Sequence, residues 1–291
     1  MFDDNITDLA SHRRGTPGEN DIANAFAEKR ADDLRYVAKW GKWYSFDGAR
    51  WREDATLETA DHIRRLCEGM KKKPKAGTVA GIERLARTDR RIAATVDQWD
   101  ADPWLLNTPG GVINLRTGNM RPALATDYMT KTTAVAPDPE CATPIWNSFL
   151  DRITAGNADL VAFHARYLGY ALTGITTEHA MCFAYGTGAN GKGVETSTVA
   201  GIMADYHVTA PIETFTASGM GERHPTDLAG MRGARLVTVA ETEEGRHWAE
   251  SKLKTITGGD KISARFMKQD FFEYVPQFKL WIAGQPQAAT P

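Results

Sequence analysis

The 291-residue sequence predicts an α/β layered domain from about residue 178 onward, preceded by a mixed and mainly helical domain. Three observations carry that reading. The apolar run from Ala180 to Tyr185 suits a buried parallel strand and leads directly into a glycine-rich loop, Gly186 to Gly193. A second apolar run, Ala234 to Ala240, ends in Glu241-Thr242-Glu243-Glu244. A third, Phe278 to Ala283, ends in Gly284-Gln285. Apolar strands separated by helical stretches are the pattern of a parallel sheet covered by helices.

Composition bounds the class. With 42% hydrophobic and 25% charged residues the chain is of the globular type. No apolar run approaches the roughly 18 residues that span a bilayer. The start, Met1-Phe2-Asp3-Asp4, is acidic with no apolar segment behind it, so no secretory leader is expected. Cys67, Cys141 and Cys182 stand far apart, without the Cys/His clustering of a metal site, and a reduced, cytosolic setting is the simplest reading. A net charge of -2 excludes binding nucleic acid through a general positive coat, but leaves room for a local basic feature such as a pore.

Residues 1–18 read as a loose polar tail, and 19–140 as the first domain. Asn20 caps an expected helix through Ala31. Asp47-Gly48, set between aromatic-rich runs from Trp40 to Trp51, signals a hairpin, and the aromatics read as one face of a small sheet rather than as a base-stacking platform. Helices are expected over 56–70 and 77–98, joined by a solvated basic loop, Lys71-Lys72-Lys73-Pro74-Lys75. Trp104 to Gly118 reads as strand, turn, strand around Pro109-Gly110-Gly111. Pro137, Pro139 and Pro144 mark a boundary near 140, and 141–177 form a helical connector with helices near 145–155 and 158–173.

The loop Gly186-Thr187-Gly188-Ala189-Asn190-Gly191-Lys192-Gly193 has the GxxxxGK spacing of a Walker A, or phosphate-binding, loop. Glycines let backbone N–H groups wrap an anion, the helix that follows adds its positive dipole end, and Lys192 reaches the β- and γ-phosphates of ATP. Gly193 stands where Ser or Thr ordinarily offers a hydroxyl to Mg²⁺, so a water or a nearby hydroxyl such as Thr196 must serve instead. In an extended segment Glu241 and Glu243 point to one side, where Glu241 can hold Mg²⁺ through water and the pair can activate the attacking water. Gln285 is placed to contact the γ-phosphate or that water. Gly258-Gly259-Asp260 should end a helix beginning near Trp248, and a segment with Lys261, Arg265 and Lys268 follows. Spacing alone leaves open whether these cations track a DNA backbone or decorate a surface loop.

Together these segments resemble the superfamily 3 helicase module of the phage and plasmid primase–helicase family. The motor-domain resemblance rests on Tyr185 through Lys192, Glu241-Thr242-Glu243, the stretch from Ile256 to Phe272, and the strand from Phe278 to Gly284. Leu106 to Leu115 and Trp40 to Trp51 are similar to the domain that precedes the motor in that family. The resemblance implies an AAA+-like P-loop ATPase over 178–291, a hexameric ring translocating on single-stranded DNA at a replication fork, in the cytoplasm of a bacterial host. It implies that Lys192 binds phosphate, that Glu241 and Glu243 serve Mg²⁺ and water, and that Lys261, Arg265 and Lys268 face DNA in the pore. It tolerates glycine at 193, and has Asn where this chain has Gln285. Its members continue past the equivalent of Pro291 with helices and an arginine that acts across the subunit interface, so a C-terminally truncated motor is expected. No priming activity is expected of this chain itself, although a separate primase is compatible. Two other readings remain: a nucleotide- and DNA-binding fragment without turnover, and a small-molecule P-loop phosphotransferase.

Overall fold

A computed structural model describes residues 16–186, 189–217, 226–240, 247–267 and 270–284. Contacts divide the chain into two compact units, one of residues up to Trp99 together with Ala125–Tyr128, the other of Asp100–Leu124 and everything from Met129 onward. The division therefore falls after Trp99, whereas the proline-marked stretch near 140 lies inside the second unit.

The first unit opens with α1 (Glu19–Lys29), whose N-cap is Gly18 rather than Asn20. Strands β1 (Leu34–Val37), β2 (Lys42–Phe46) and β3 (Trp51–Glu53) follow, then helices α2 (Glu58–Gly69) and α3 (Ala76–Ala86), and β4 (Ala93–Ala94). They form a sheet in the order β3-β2-β1-β4. The Asp47-Gly48 hairpin is present: Phe46 pairs with Trp51, Asp47 Oδ1 accepts from the Ala49 and Arg50 amides at 2.9 and 2.8 Å, and Gly48 takes φ +94. Alternation along β2 puts Trp43 among Ile22, Phe26, Leu34, Ile63 and Ile82, beneath the helices. Tyr44 and Phe46 pack with Trp51 and Trp99 in a second cluster. The aromatics are thus sheet faces. The helix expected over 77–98 stops at Ala86, because Asp89 caps a turn onto the Arg91 amide at 2.9 Å and Tyr36 takes Ile92 into the sheet.

The second unit begins with an antiparallel sheet, β5 (Leu105–Thr108), β6 (Gly111–Asn114) and β7 (Met120–Arg121). Gly111 must be glycine, since it takes φ +130 and a Cβ there would strike the Arg121 carbonyl. Helix α4 (Pro144–Ile153) starts with proline in its first turn, and α5 (Ala158–Leu172) is capped by Asn157, whose side chain accepts from the Leu160 amide. Then come β8 (Cys182–Tyr185), α6 (Lys192–Met203), β9 (His207–Ala210), α7 (Thr226–Gly230), β10 (Leu236–Ala240), α8 (Glu250–Gly258), β11 (Ile262–Ala264), β12 (Phe272–Tyr274) and β13 (Lys279–Gly284). As the double glycine predicts, α8 ends with Gly259 in the left-handed region at φ +79.

The parallel strands run in the order β8-β13-β10-β9. Successive side chains alternate between two cores. Val237, Val239, Leu280 and Ile282 face one containing Phe215, Leu253 and Ile256. Leu236 and Trp281 face the other, with Tyr167 and Ala171 of α5 and Val199 and Met203 of α6. Helices cover both sheet faces, so this unit is a mixed α/β layered fold built on a parallel sheet.

Candidate functional site at the C-terminal edge of the parallel sheet

Register decides where the site lies. Tyr185 pairs with Gly284, Ala184 with Ala283, and Ala283 with Ala240. The C-terminal ends of β8, β13 and β10 therefore finish side by side. In open parallel sheets this edge is where ligands bind, in the crevice beyond the strand ends. The loop beginning at Gly186 leaves one of these strands, and Glu241 and Gln285 are the next residues in sequence after the other two.

The loop closes on itself through Lys192. Its Nζ donates to the Gly186 carbonyl at 2.8 Å and to Asn190 Oδ1 at 3.0 Å. A Cβ at Gly186 would meet the Asn190 side-chain amide, which would have to move aside, and Gly186 takes φ +156, a backbone conformation that favours glycine. Gly191 takes φ +89 and caps α6 without a side chain. The first helical bond is Glu195 N–H to the Gly191 carbonyl at 3.0 Å, so the amides of Lys192, Gly193 and Val194 have no acceptor within the helix and are directed to its N-terminal end. Three outward amides, a helix dipole and an ammonium are the groups that an anion of phosphate size would meet at this end of α6.

Gly191 also rests on α4, since a Cβ there would lie 2.6 Å from Ile153 Cγ2 and 3.1 Å from Phe149 Cε2. Gly191→Val is expected to cost about 2–4 kcal/mol in chemical denaturation, from left-handed strain plus overpacking. Gly193→Ala is the contrast: nothing lies within 4 Å of a Cβ there, so stability should hold or rise slightly.

That open space means packing does not enforce glycine at 193. Thr196, the hydroxyl considered in its place, is turned back along the helix, where Oγ1 donates to the Lys192 carbonyl at 2.9 Å, one turn into α6. Among the described residues no cluster of three potential metal ligands occurs. Thr187, Gly188, Glu241, Glu243, Lys268 and Gln285 lie outside the described residues.

Two of the three cations read as DNA contacts can be placed. Ile262 pairs with Tyr274 and Ala264 with Phe272, so β11 and β12 form a hairpin. Lys261 sits at its base, exposed beside a cavity of about 620 Å³ lined also by Glu250, Lys252, Thr255 and Ser263. Arg265 lies toward the tip, its guanidinium 4.5 Å from the Phe271 ring centroid. Phe266, Met267 and Phe271 are exposed there, an aromatic signal that the charge pattern did not bring out.

Other groups escaped the sequence reading altogether. Glu195, buried under the first turn of α6, meets His164 Nδ1 at 2.6 Å. Arg235 and Lys279, each 2% exposed, head β10 and β13 at the opposite edge of the sheet. The one sequence signal for these two was a cation opening an apolar run.

Comparison with known proteins agrees with this architecture. Residues 23–155 match the family described as D5 N terminal like, a span from α1 to the end of α4. A protein of Acanthamoeba polyphaga mimivirus named "Putative helicase L207/L206" is 26% identical over 187 residues, 62% of this chain and 19% of the relative. Two apo structures of the NrS-1 C-terminal region superpose on 92% of this chain with TM-scores of 0.53 and 0.54, at 11% and 10% identity. At that identity the likeness is one of fold. The chain spans about a fifth of the mimivirus relative and just over half of the NrS-1 chains. No helix among the described residues is long and apolar enough to cross a membrane.

Proposed function

We propose that this chain carries the ATP-binding core of a DNA helicase of phage or plasmid replication, an AAA+-like P-loop unit of the superfamily 3 type. The observation that carries the reading is the alignment of three strand ends on one edge, with the Lys192 loop on β8 and Glu241 and Gln285 following β10 and β13. The helicase name of the mimivirus relative and the D5 N terminal like match support it.

In this reading the loop amides and Lys192 hold the β- and γ-phosphates of ATP. Gly186 and Gly191 give the backbone its close approach to the phosphates. ATP brings the phosphoanhydride whose hydrolysis drives movement, and Mg²⁺ travels with it. Glu241, with water, would hold that metal. Glu243 activates the attacking water, and Gln285, the next residue in sequence after β13, senses the γ-phosphate. The hairpin cations Lys261, Arg265 and Lys268 meet single-stranded DNA. Exposed Phe266 and Phe271 beside Arg265 add what cations alone lack, faces on which bases stack. A homohexameric ring is the assembly this reading entails.

The test is ATP hydrolysis with and without single-stranded DNA, in the native chain and in Arg265→Ala/Phe266→Ala. DNA should stimulate turnover in the native chain, and the double variant should lose at least about tenfold in DNA affinity, as one lost stack and one lost phosphate contact imply. Nucleotide binding without turnover would make the chain a nucleotide- and DNA-binding fragment. Turnover indifferent to DNA would favour a small-molecule phosphotransferase.

A further inference from the structure

We propose that His164 and Glu195 form a proton-holding pair beneath the phosphate-binding turn, so that nucleotide affinity depends on whether the pair keeps its proton. The proposal rests on the phosphate-loop reading above and adds to it a positioning residue, Glu195, and a form of regulation.

Glu195 lies three residues after Lys192, and its own N–H closes the first bond of α6. Its side chain turns inward and is 3% exposed, and it meets His164 of α5 at 2.6 Å. The His164 ring meets Trp281 of β13 edge to face at 6.0 Å, in the apolar layer between the sheet and the two helices. Burial pushes the Glu195 carboxyl up from the usual carboxylate range, while His164 pulls it back. The other titratable groups facing this layer are Cys182 of β8, whose thiol is pushed up to about 11 by burial and by Glu195, and Tyr167 of α5, also pushed up by burial. Both stay uncharged through neutral pH, which leaves the pair to carry any change of charge. Lys192, on the same helix, is engaged with Gly186 and Asn190.

With its proton the pair is neutral overall, whether written as imidazolium and carboxylate or as imidazole and carboxylic acid. Without it, one negative charge is buried under the turn whose amides must receive phosphate. Two negative charges across a low-dielectric layer oppose each other. Affinity is therefore highest below the titration of the pair and falls as pH rises through it. By linkage, bound nucleotide tightens the hold on the proton.

The experiment is titration calorimetry with ADP from pH 6 to 9 on the native chain, Glu195→Gln, His164→Gln and Lys192→Ala. Native affinity should fall relative to Glu195→Gln by about tenfold across that range, the scale of one like charge opposing the phosphate across a poorly screened layer. Glu195→Gln keeps the shape and cannot acquire the charge, so its profile should show only the titration of the nucleotide's own phosphates. His164→Gln should move the fall to lower pH, and it provides the same reading should Glu195→Gln not fold. Parallel profiles for the native chain and both variants would reduce the pair to packing and overturn the proposal while the phosphate loop stands. Native chain that is folded yet binds no ADP at any pH, or binds it equally well with Lys192→Ala, would instead overturn the phosphate-loop reading and the proposal with it.

Discussion

Lys192→Ala is expected to abolish measurable nucleotide binding, a loss of at least about a hundredfold in affinity, while leaving the fold in place. Both halves follow from where the ammonium sits. Its two partners in the free chain, the Gly186 carbonyl and Asn190 Oδ1, belong to the loop itself and not to the core. Each such bond contributes roughly 1 kcal/mol net to stability, so thermal unfolding should shift by only a few degrees. Against phosphate the same Nζ acts as a full charge at the mouth of a helix N-terminus, and charge-assisted bonds of this kind are about twice as strong as neutral ones. Removing it leaves the amides of Lys192, Gly193 and Val194 to hold the anion unaided. Titration with ADP and with ATP, set beside a thermal melt, separates the two effects. Binding retained within a few-fold would mean that the loop is a turn between strand and helix and no more.

What the sequence revealed here, and what it concealed, follows from the range of the forces involved. Strands β8, β10 and β13 are continuous apolar runs because helices cover both of their faces, so residue type alone marks them. The loop is marked by its glycines, and Gly186 and Gly191 both prove to be positions where a Cβ would collide with a neighbour. Strand order is another matter. That β13 inserts between β8 and β10 depends on pairing 43 residues apart with β10 and 99 apart with β8, and no local pattern encodes it. The ties between distant segments are long-range in the same way. Prolines near 140 look like a linker, yet Arg235 reaches back to the Asp102 and Leu105 carbonyls and ties the segment after Trp99 to the parallel sheet. His164 and Glu195 sit on two ordinary-looking helices, and only packing brings them to 2.6 Å.

The same buried wiring at the far edge of the sheet sets the last expectation, that stability rises with pH above neutrality and that Lys279 is the cause. Lys279 Nζ lies among the carbonyls of Thr173, Ile175 and Gln277, with the Tyr170 ring centroid 4.6 Å away, while Arg235 donates to the Leu172 carbonyl at 2.5 Å. Together the two cations pin the C-terminal end of α5, where carbonyls run out of helical partners, to the residue before β10 and the first residue of β13. Burial, with Arg235 nearby, pushes the Lys279 ammonium down to about 7 from its ordinary 10.5. Below about pH 7 the group is charged in both folded and unfolded chains and its titration adds no slope. Between about 7 and 10.5 the unfolded chain still binds a proton that the folded chain has released, so folding is favoured as pH rises. The gradient approaches about 1.4 kcal/mol per pH unit. Urea denaturation at pH 7, 8 and 9 should show it in the native chain, and Lys279→Met, which cannot titrate, should flatten it. Met also leaves three carbonyls without their donor, so the variant should be the less stable protein at pH 9, by about 2–4 kcal/mol. A native profile as flat as that of Lys279→Met would mean that the surrounding oxygens keep the ammonium charged in the folded chain, with desolvation offset by their dipoles.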